Sequence, residues 1–185
     1  MSVLDSKTLR QIPIFGNMND SERRQLAEIS STIPFKAGDI VLHQGQSRQN
    51  LWIVLTGQCE VYTEADAAST AREPIRLALL EPYSNFGEMS FFHAAPHSAS
   101  VRATTEVTLL RIERADYQEL VLEGASAAYK LACNAIDSLA DRLRRMDDWV
   151  ADLVRHGRQM EAAPVDGRVP EWSHFRDKLF TGWNL

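Results

Sequence analysis

Cysteine is scarce in this chain. Only Cys59 and Cys133 occur in 185 residues, far apart and in no Cys-x-x-Cys spacing, which argues against a disulfide framework and against a thiolate zinc site. Histidine is scarce too. Of His43, His93, His97, His156 and His174, only His93 and His97 lie close together, and no His-x-His with a following Glu appears. A metal-bound jelly-roll site is therefore not expected. No recognisable motif pairs a nucleophile with a base, so the chain is not expected to be an enzyme. Positive charge is in deficit, with 20 Lys and Arg against 25 Asp and Glu and a formal net charge of -5. A free-standing nucleic-acid binder would usually be basic. No apolar run approaches the roughly 18 residues of a membrane span, and the opening MSVLDSKTLR lacks the apolar stretch of a signal peptide. The expectation is a cytoplasmic protein with no membrane contact.

What is present is an ordinary soluble composition, 44% hydrophobic and 24% charged, in a chain long enough for one domain with a real core plus accessory helices. Residues 4–11 read as a short helix that Pro13 and Gly16 interrupt. Asn19 is a candidate N-cap for the next helix, with Glu22 three residues on completing a capping box. From Ser31 the period changes. The runs TIPF, DIVLH, NLWIVL, QCEVYT, IRLALL, SASVRAT and VTLLRI are short, β-rich and separated by turn residues. Such spacing predicts a β-sandwich or barrel. The polar stretch EADAASTARE reads as a hairpin loop. Helical periodicity returns over residues 115–123 and again, at much greater length, over 125–156.

The most informative segment is residues 86–103, FGEMSFFHAAPHSASVRA. Gly87 opens a helical turn inside a β domain, and the start of such a turn presents backbone N–H groups suited to an anion. Glu88 lies on the same turn. Pro96 then constrains the chain, and small residues beside it let a ligand approach the backbone. On the residues alone this is a weak signal for a sugar-phosphate cradle.

The segment resembles the phosphate-binding cassette of the cyclic-nucleotide-binding domain family, matching its pattern at Phe86, Gly87, Glu88, Met89, Ser90, Phe91, Pro96, Ser98, Ala99, Ser100 and Val101. The similarity extends from about residue 10 to 125, including Gly38, Gly45 and Gly57 at turn positions. It implies a β-roll, or jelly roll, of about eight strands with N-terminal helices and a long C-terminal dimerisation helix, like that of catabolite activator protein. It also implies a ligand, cAMP or cGMP. By resemblance Glu88 accepts a hydrogen bond from the ribose 2′-hydroxyl, while the N–H groups of Gly87 and Ala99 and the hydroxyl or N–H of Ser98 face the cyclic phosphate. The family's phosphate-pairing arginine falls at His97. Losing that charge-assisted contact costs about 1.5–3 kcal/mol, about 10- to 100-fold in affinity. Three outcomes stay open. His97 binds as its protonated form, with affinity rising toward pH ~6.5; Arg102 or Arg76 supplies the charge; or the site has lost its ligand and the fold serves as a dimeric interaction module. An alternative anion such as a cyclic dinucleotide also fits.

The long helix carries a heptad seam. Tyr129, Ile136, Leu143 and Val150 fall at a, and Ala132, Leu139, Met146 and Leu153 at d, the pattern of a parallel two-stranded coiled coil and hence a homodimer. Arg142 at g and Asp147 at the next e are expected to pair across it. The resulting organisation is 1–124, the β-roll with its leading helices; 125–156, the dimer helix; and 157–185, a Pro-interrupted tail of balanced charge. That tail is too short and too neutral for a helix-turn-helix contacting phosphates, so no direct DNA binding is expected. Its Trp172, Phe175, Phe180 and Trp183 either fold back on the chain or anchor another protein.

Overall fold

The computed structural model describes residues 6–64 and 74–161. The expected tail, with Trp172 and its neighbours, and most of the EADAASTARE loop lie outside the described residues. The chain opens with α1 (Ser6–Gln11), a 3-10 turn (Pro13–Phe15) and α2 (Asp20–Glu28). The capping box forms as expected: the Glu22 N–H donates to Asn19 Oδ1 at 2.9 Å, and the Asn19 N–H donates to Glu22 Oε2 at 2.8 Å.

Eight strands follow, with α3 (Glu88–Phe92) among them: β1 (Ser30–Phe35), β2 (Ile40–Leu42), β3 (Asn50–Thr56), β4 (Cys59–Thr63), β5 (Ile75–Leu80), β6 (Asn85–Phe86), β7 (Ser100–Ala103) and β8 (Val107–Glu113). They form two four-stranded antiparallel sheets, ordered β1-β8-β3-β6 and β2-β7-β4-β5. This is the expected β-roll. β3 and β8 are buried on both faces. Leu51 and Ile53 of β3 join Leu110 and Ile112 of β8 in a core beneath the helices, whereas Trp52, Val54, Val107 and Leu109 face Leu42, Leu80 and Val101 in a second core between the sheets. Double burial is why the run LWIVL, Leu51 to Leu55, is continuously apolar instead of alternating. Cys59 lies in the second core, where burial pushes its thiol up to about 12, an inert thiol.

After β8 come α4 (Arg114–Leu122) and α5 (Ser126–Glu161), separated by Gly124 in the left-handed region at φ 70°. α5 continues past the expected end at His156. A single internal glycine, Gly157, costs a helix only about 1 kcal/mol, which does not stop it. The N-terminal part of α5 packs on the body through Ala127, Ala128, Leu131 and Ala135, all at most 1% exposed. Two polar anchors reinforce this. Lys130 Nζ donates to Glu22 Oε2 at 2.8 Å, and Asn134 Nδ2 donates to the Ile14 and Gly16 carbonyls at 2.9 Å each. The opposite side of α5 carries Tyr129, Ile136, Leu143, Met146 and Val150, which are 47% to 73% exposed. Five of the residues read as a seam are thus left exposed by the body, Ala132 and Leu139 are half-buried, and the packing stripe is a separate, alanine-rich one.

Candidate ligand-binding site

β6 ends against Gly87, whose φ of 82° belongs to the left-handed region. A Cβ there would also sit 2.6 Å from the Asn50 carbonyl oxygen of β3. Both constraints require glycine, and the left-handed turn they impose starts α3 directly after β6. Phe91 plants that short helix in the core: it is fully buried and packs on Tyr117 of α4 at 5.1 Å between ring centroids. Arg114 Nη1 donates to the Phe91 carbonyl from the α4 side. Phe86 is likewise a core side chain, stacked on Trp52 at 6.3 Å; it supports the site and its ring points into the core. Met89 lies on the exposed side of α3.

Glu88 is the unusual residue of this turn, a carboxylate only 2% exposed. Its Oε1 accepts from Arg142 Nη1, and its Oε2 faces Asn85 Nδ2 at 3.4 Å. Arg142 Nη2 also donates to the Asn85 carbonyl at 3.0 Å. A guanidinium from α5 thus bridges the carboxylate and the strand that precedes it. This corrects the expectation that Arg142 pairs with Asp147 across a coiled coil, because its guanidinium is drawn instead into the body by a buried carboxylate. The heptad pattern could place Arg142 beside the seam but carried no sign of a partner 54 residues earlier in the chain. Glu88 keeps acceptor capacity, since an ionised carboxylate has about four lone-pair sites.

At the other end of the cassette, His97 is buried, and its Nδ1 lies 3.0 Å from Ser90 Oγ of α3. Its backbone is clamped to the β2–β3 connection: the His97 N–H donates to the Gln46 carbonyl and the Gly45 N–H donates to the His97 carbonyl, each at 2.9 Å. Burial pushes the His97 pKa below its usual value, opposed in part by the Arg48 backbone carbonyl. Burial thus works against the protonated form on which the expected rise in affinity toward pH ~6.5 depends. The Arg48 carbonyl approaches the ring without forming a well-aligned hydrogen bond, and the buried His97 Nε2 has no other partner. Ser98 is exposed and Ala99 half-buried. The Ser100 hydroxyl is occupied, accepting from the Gln44 N–H at 2.9 Å and donating to Glu64 Oε1 at 3.4 Å. Arg102, considered as a substitute cation, pairs with Glu60 on the outer side of the β7–β4 ladder and covers the Tyr62 ring at 5.2 Å. Arg76 is exposed on β5.

Beside Glu88, a groove of about 260 Å³ runs between α5, the 3-10 turn and the β5–β6 connection, with Asn85 and Arg142 in its wall. Among the described residues no group of three or more His, Cys, Asp or Glu could hold a metal ion, and no helix is long and apolar enough to cross a membrane.

The geometry has counterparts in known proteins. The model of the family described as the cyclic nucleotide-binding domain matches residues 32–123. A cAMP-dependent protein kinase regulatory subunit of Emericella nidulans is 27% identical over 113 residues, which cover 61% of this chain and 26% of that protein. The chain thus aligns with about a quarter of that relative's length. The Thermus thermophilus catabolite activator protein is 28% identical with a TM-score of 0.66, covering 77% of this chain and 63% of that one. A cyclic nucleotide-binding domain from Methylobacillus flagellatus KT, 19% identical with a TM-score of 0.67, covers 86% of this chain and 83% of that one.

Proposed function

Because the chain carries a cyclic nucleotide-binding domain of the catabolite activator protein-like β-roll type, we propose that it is a regulatory sensor in which cAMP or cGMP, bound at the cassette, sets the position of α5. The observation that carries this reading is the Arg142–Glu88 pair: a side chain of the long helix rests on the carboxylate expected to hold the ribose. A ribose hydroxyl arriving at Glu88 adds to or competes with that contact, so occupancy and helix placement are linked. The sensor works in the cytoplasm and dimerises through α5, with Ile136, Leu139, Leu143, Met146, Val150 and Leu153 as the interface. Its output is a contact with another protein and it catalyses no reaction.

The cradle of this reading is Gly87, Glu88 and Met89 on one side and His97, Ser98, Ala99 and Ser100 on the other, with Phe86 as its support. Thermal melting with each nucleotide tests it. A ligand at 100 times its dissociation constant stabilises a protein by about 2.7 kcal/mol, so a clear rise in melting temperature is expected with at least one. An unchanged melting curve with both at millimolar concentration would falsify the sensor reading.

One observation favours the second reading, a ligand-free dimeric interaction module. His97 is buried, turned to Ser90 and pushed toward its neutral form by that burial, where the family pattern has a permanent cation, and a carboxylate, Glu64, contacts Ser100 nearby. The same melting experiment decides between the two.

A further inference from the structure

The residues joining β2 to β3 form a strap across the cassette. At its first end the Gly45 N–H and the Gln46 carbonyl grip the His97 backbone, each at 2.9 Å. At its second end the Asn50 carbonyl oxygen lies 2.6 Å from where a Gly87 Cβ would be. Just before that point the Gln49 carbonyl accepts from the Arg114 N–H at 3.1 Å, which ties the strap to the start of α4. Residues 45–50 thus touch both halves of the cradle, the turn at Gly87 and the stretch at His97. Arg48 stands midway between Gln46 and Asn50, and its carbonyl approaches the His97 ring. Its side chain is exposed, and among the described residues no hydrogen bond or ion pair holds it. The cations that could otherwise serve the cradle are engaged or remote. Arg142 is held by Glu88, Arg102 by Glu60 and Arg114 by the Phe91 carbonyl. Arg76 belongs to β5, at the edge of the other sheet.

We infer that Arg48 supplies the positive charge for the ligand's cyclic phosphate, providing from the strap the cation that the cassette lacks at His97. The inference rests on the sensor reading and adds to its site a residue from outside the cassette. A guanidinium is permanently charged and presents its donors as a planar fork. The unbridged oxygens of a phosphodiester match that fork in a bidentate pair. His97 offers neither property, because its ring is turned to Ser90 and buried. Ser98, the residue after His97, is exposed like Arg48, so the cassette opens to solvent beside the strap. An exposed cation acts through water and is screened by salt. The contact is therefore weaker than a buried pair and more sensitive to ionic strength.

The test is isothermal titration of the full chain with cAMP and with cGMP at low and at high salt, repeated on Arg48→Ala, Arg48→Lys and Arg24→Ala. Arg24 is an exposed arginine of α2, so its removal changes the net charge equally but away from the cassette. Arg48 and Arg24 are both exposed, and all four proteins should melt alike without nucleotide. Arg48→Ala should weaken the nucleotide that binds by about fivefold, the top of the range for an exposed ion pair. It should also flatten the salt dependence, which Arg48→Lys should keep. Arg24→Ala should leave both affinity and salt dependence unchanged. An affinity that Arg48→Ala does not lower, or that Arg24→Ala lowers equally, overturns the assignment of Arg48 while leaving the sensor intact. Binding of neither nucleotide to the unaltered chain overturns the sensor and the assignment with it.

Discussion

At Gly87 two demands coincide, a left-handed backbone and a neighbouring carbonyl 2.6 Å from where a Cβ would be. Gly87→Ala is expected to cost about 3 kcal/mol, the upper end for a strained backbone position, read as a lower urea midpoint with an unchanged slope. Removing Arg142 has a different cause. Arg142→Ala leaves the nearly buried Glu88 carboxylate without its cation, expected to cost about 3 kcal/mol, the low end for breaking a buried pair because the Arg142 side chain is 24% exposed. Adding Glu88→Gln to Arg142→Ala should recover part of that loss, because the buried charge is gone; no recovery would mean the loss does not come from an unpaired Glu88 carboxylate. His97→Arg restores the cation of the family pattern. Titration with cAMP and cGMP should show about a 10- to 100-fold gain for the nucleotide that binds. An unchanged affinity would show that the His97 position does not face the phosphate. Gly87 and Glu88 were legible because their spacing is part of a recognisable pattern. The burial of His97 was not, because the partner that draws it inward, Ser90, is a small residue with no distinctive signature of its own.

At the scale of elements, the helices and seven of the eight strands follow from periodicity, while β6 does not. It is two residues long, shorter than any alternation can reveal, and exists because Trp52 and Ile53 offer a ladder to Phe86 and Asn85. The α2–α5 junction was half legible. The Asn19–Glu22 box can be read from sequence, but Lys130 and Ser126 converge on the same carboxylate from more than 100 residues away. The Lys130 ammonium, the Asn19 N–H and the Ser126 hydroxyl lower the Glu22 pKa from 4.5 to about 2. A carboxylate whose pKa is depressed on folding contributes stability above its unfolded value and loses that contribution as pH falls through the folded one. Melting temperature should therefore fall between pH 4.5 and about 2, and Glu22→Gln should flatten that part of the profile. An equal acid response in both proteins would show that other carboxylates govern it.

At the scale of the molecule, the proposed assembly rests on the exposed side of α5. Leu143 and Met146 are about half exposed, and a heptad seam of this kind is satisfied by a second copy in parallel register. Light scattering at micromolar concentration is expected to give a dimer, and Leu143→Asp a monomer with an unaltered far-ultraviolet dichroism spectrum. A wild-type monomer would leave the stripe to some other partner. The heptad pattern was visible in the sequence because its spacing alternates between three and four. What the heptad concealed was that Arg142, assigned to its margin, belongs to the other side of the helix, where it serves the roll.

α5 runs unbroken for 36 residues, about 54 Å at 1.5 Å per residue, and is pinned near its start by Ala127, Leu131 and Lys130. Arg142 lies 16 residues from Ser126, and Glu161 lies 35 residues from it. If the rod pivots about its anchored end, any sideways travel imposed at Arg142 is about doubled at the tip. A displacement too small to disturb the roll would then arrive at the far end of α5 as a lever stroke, and the fold would act as a mechanical amplifier with its fulcrum beneath α2.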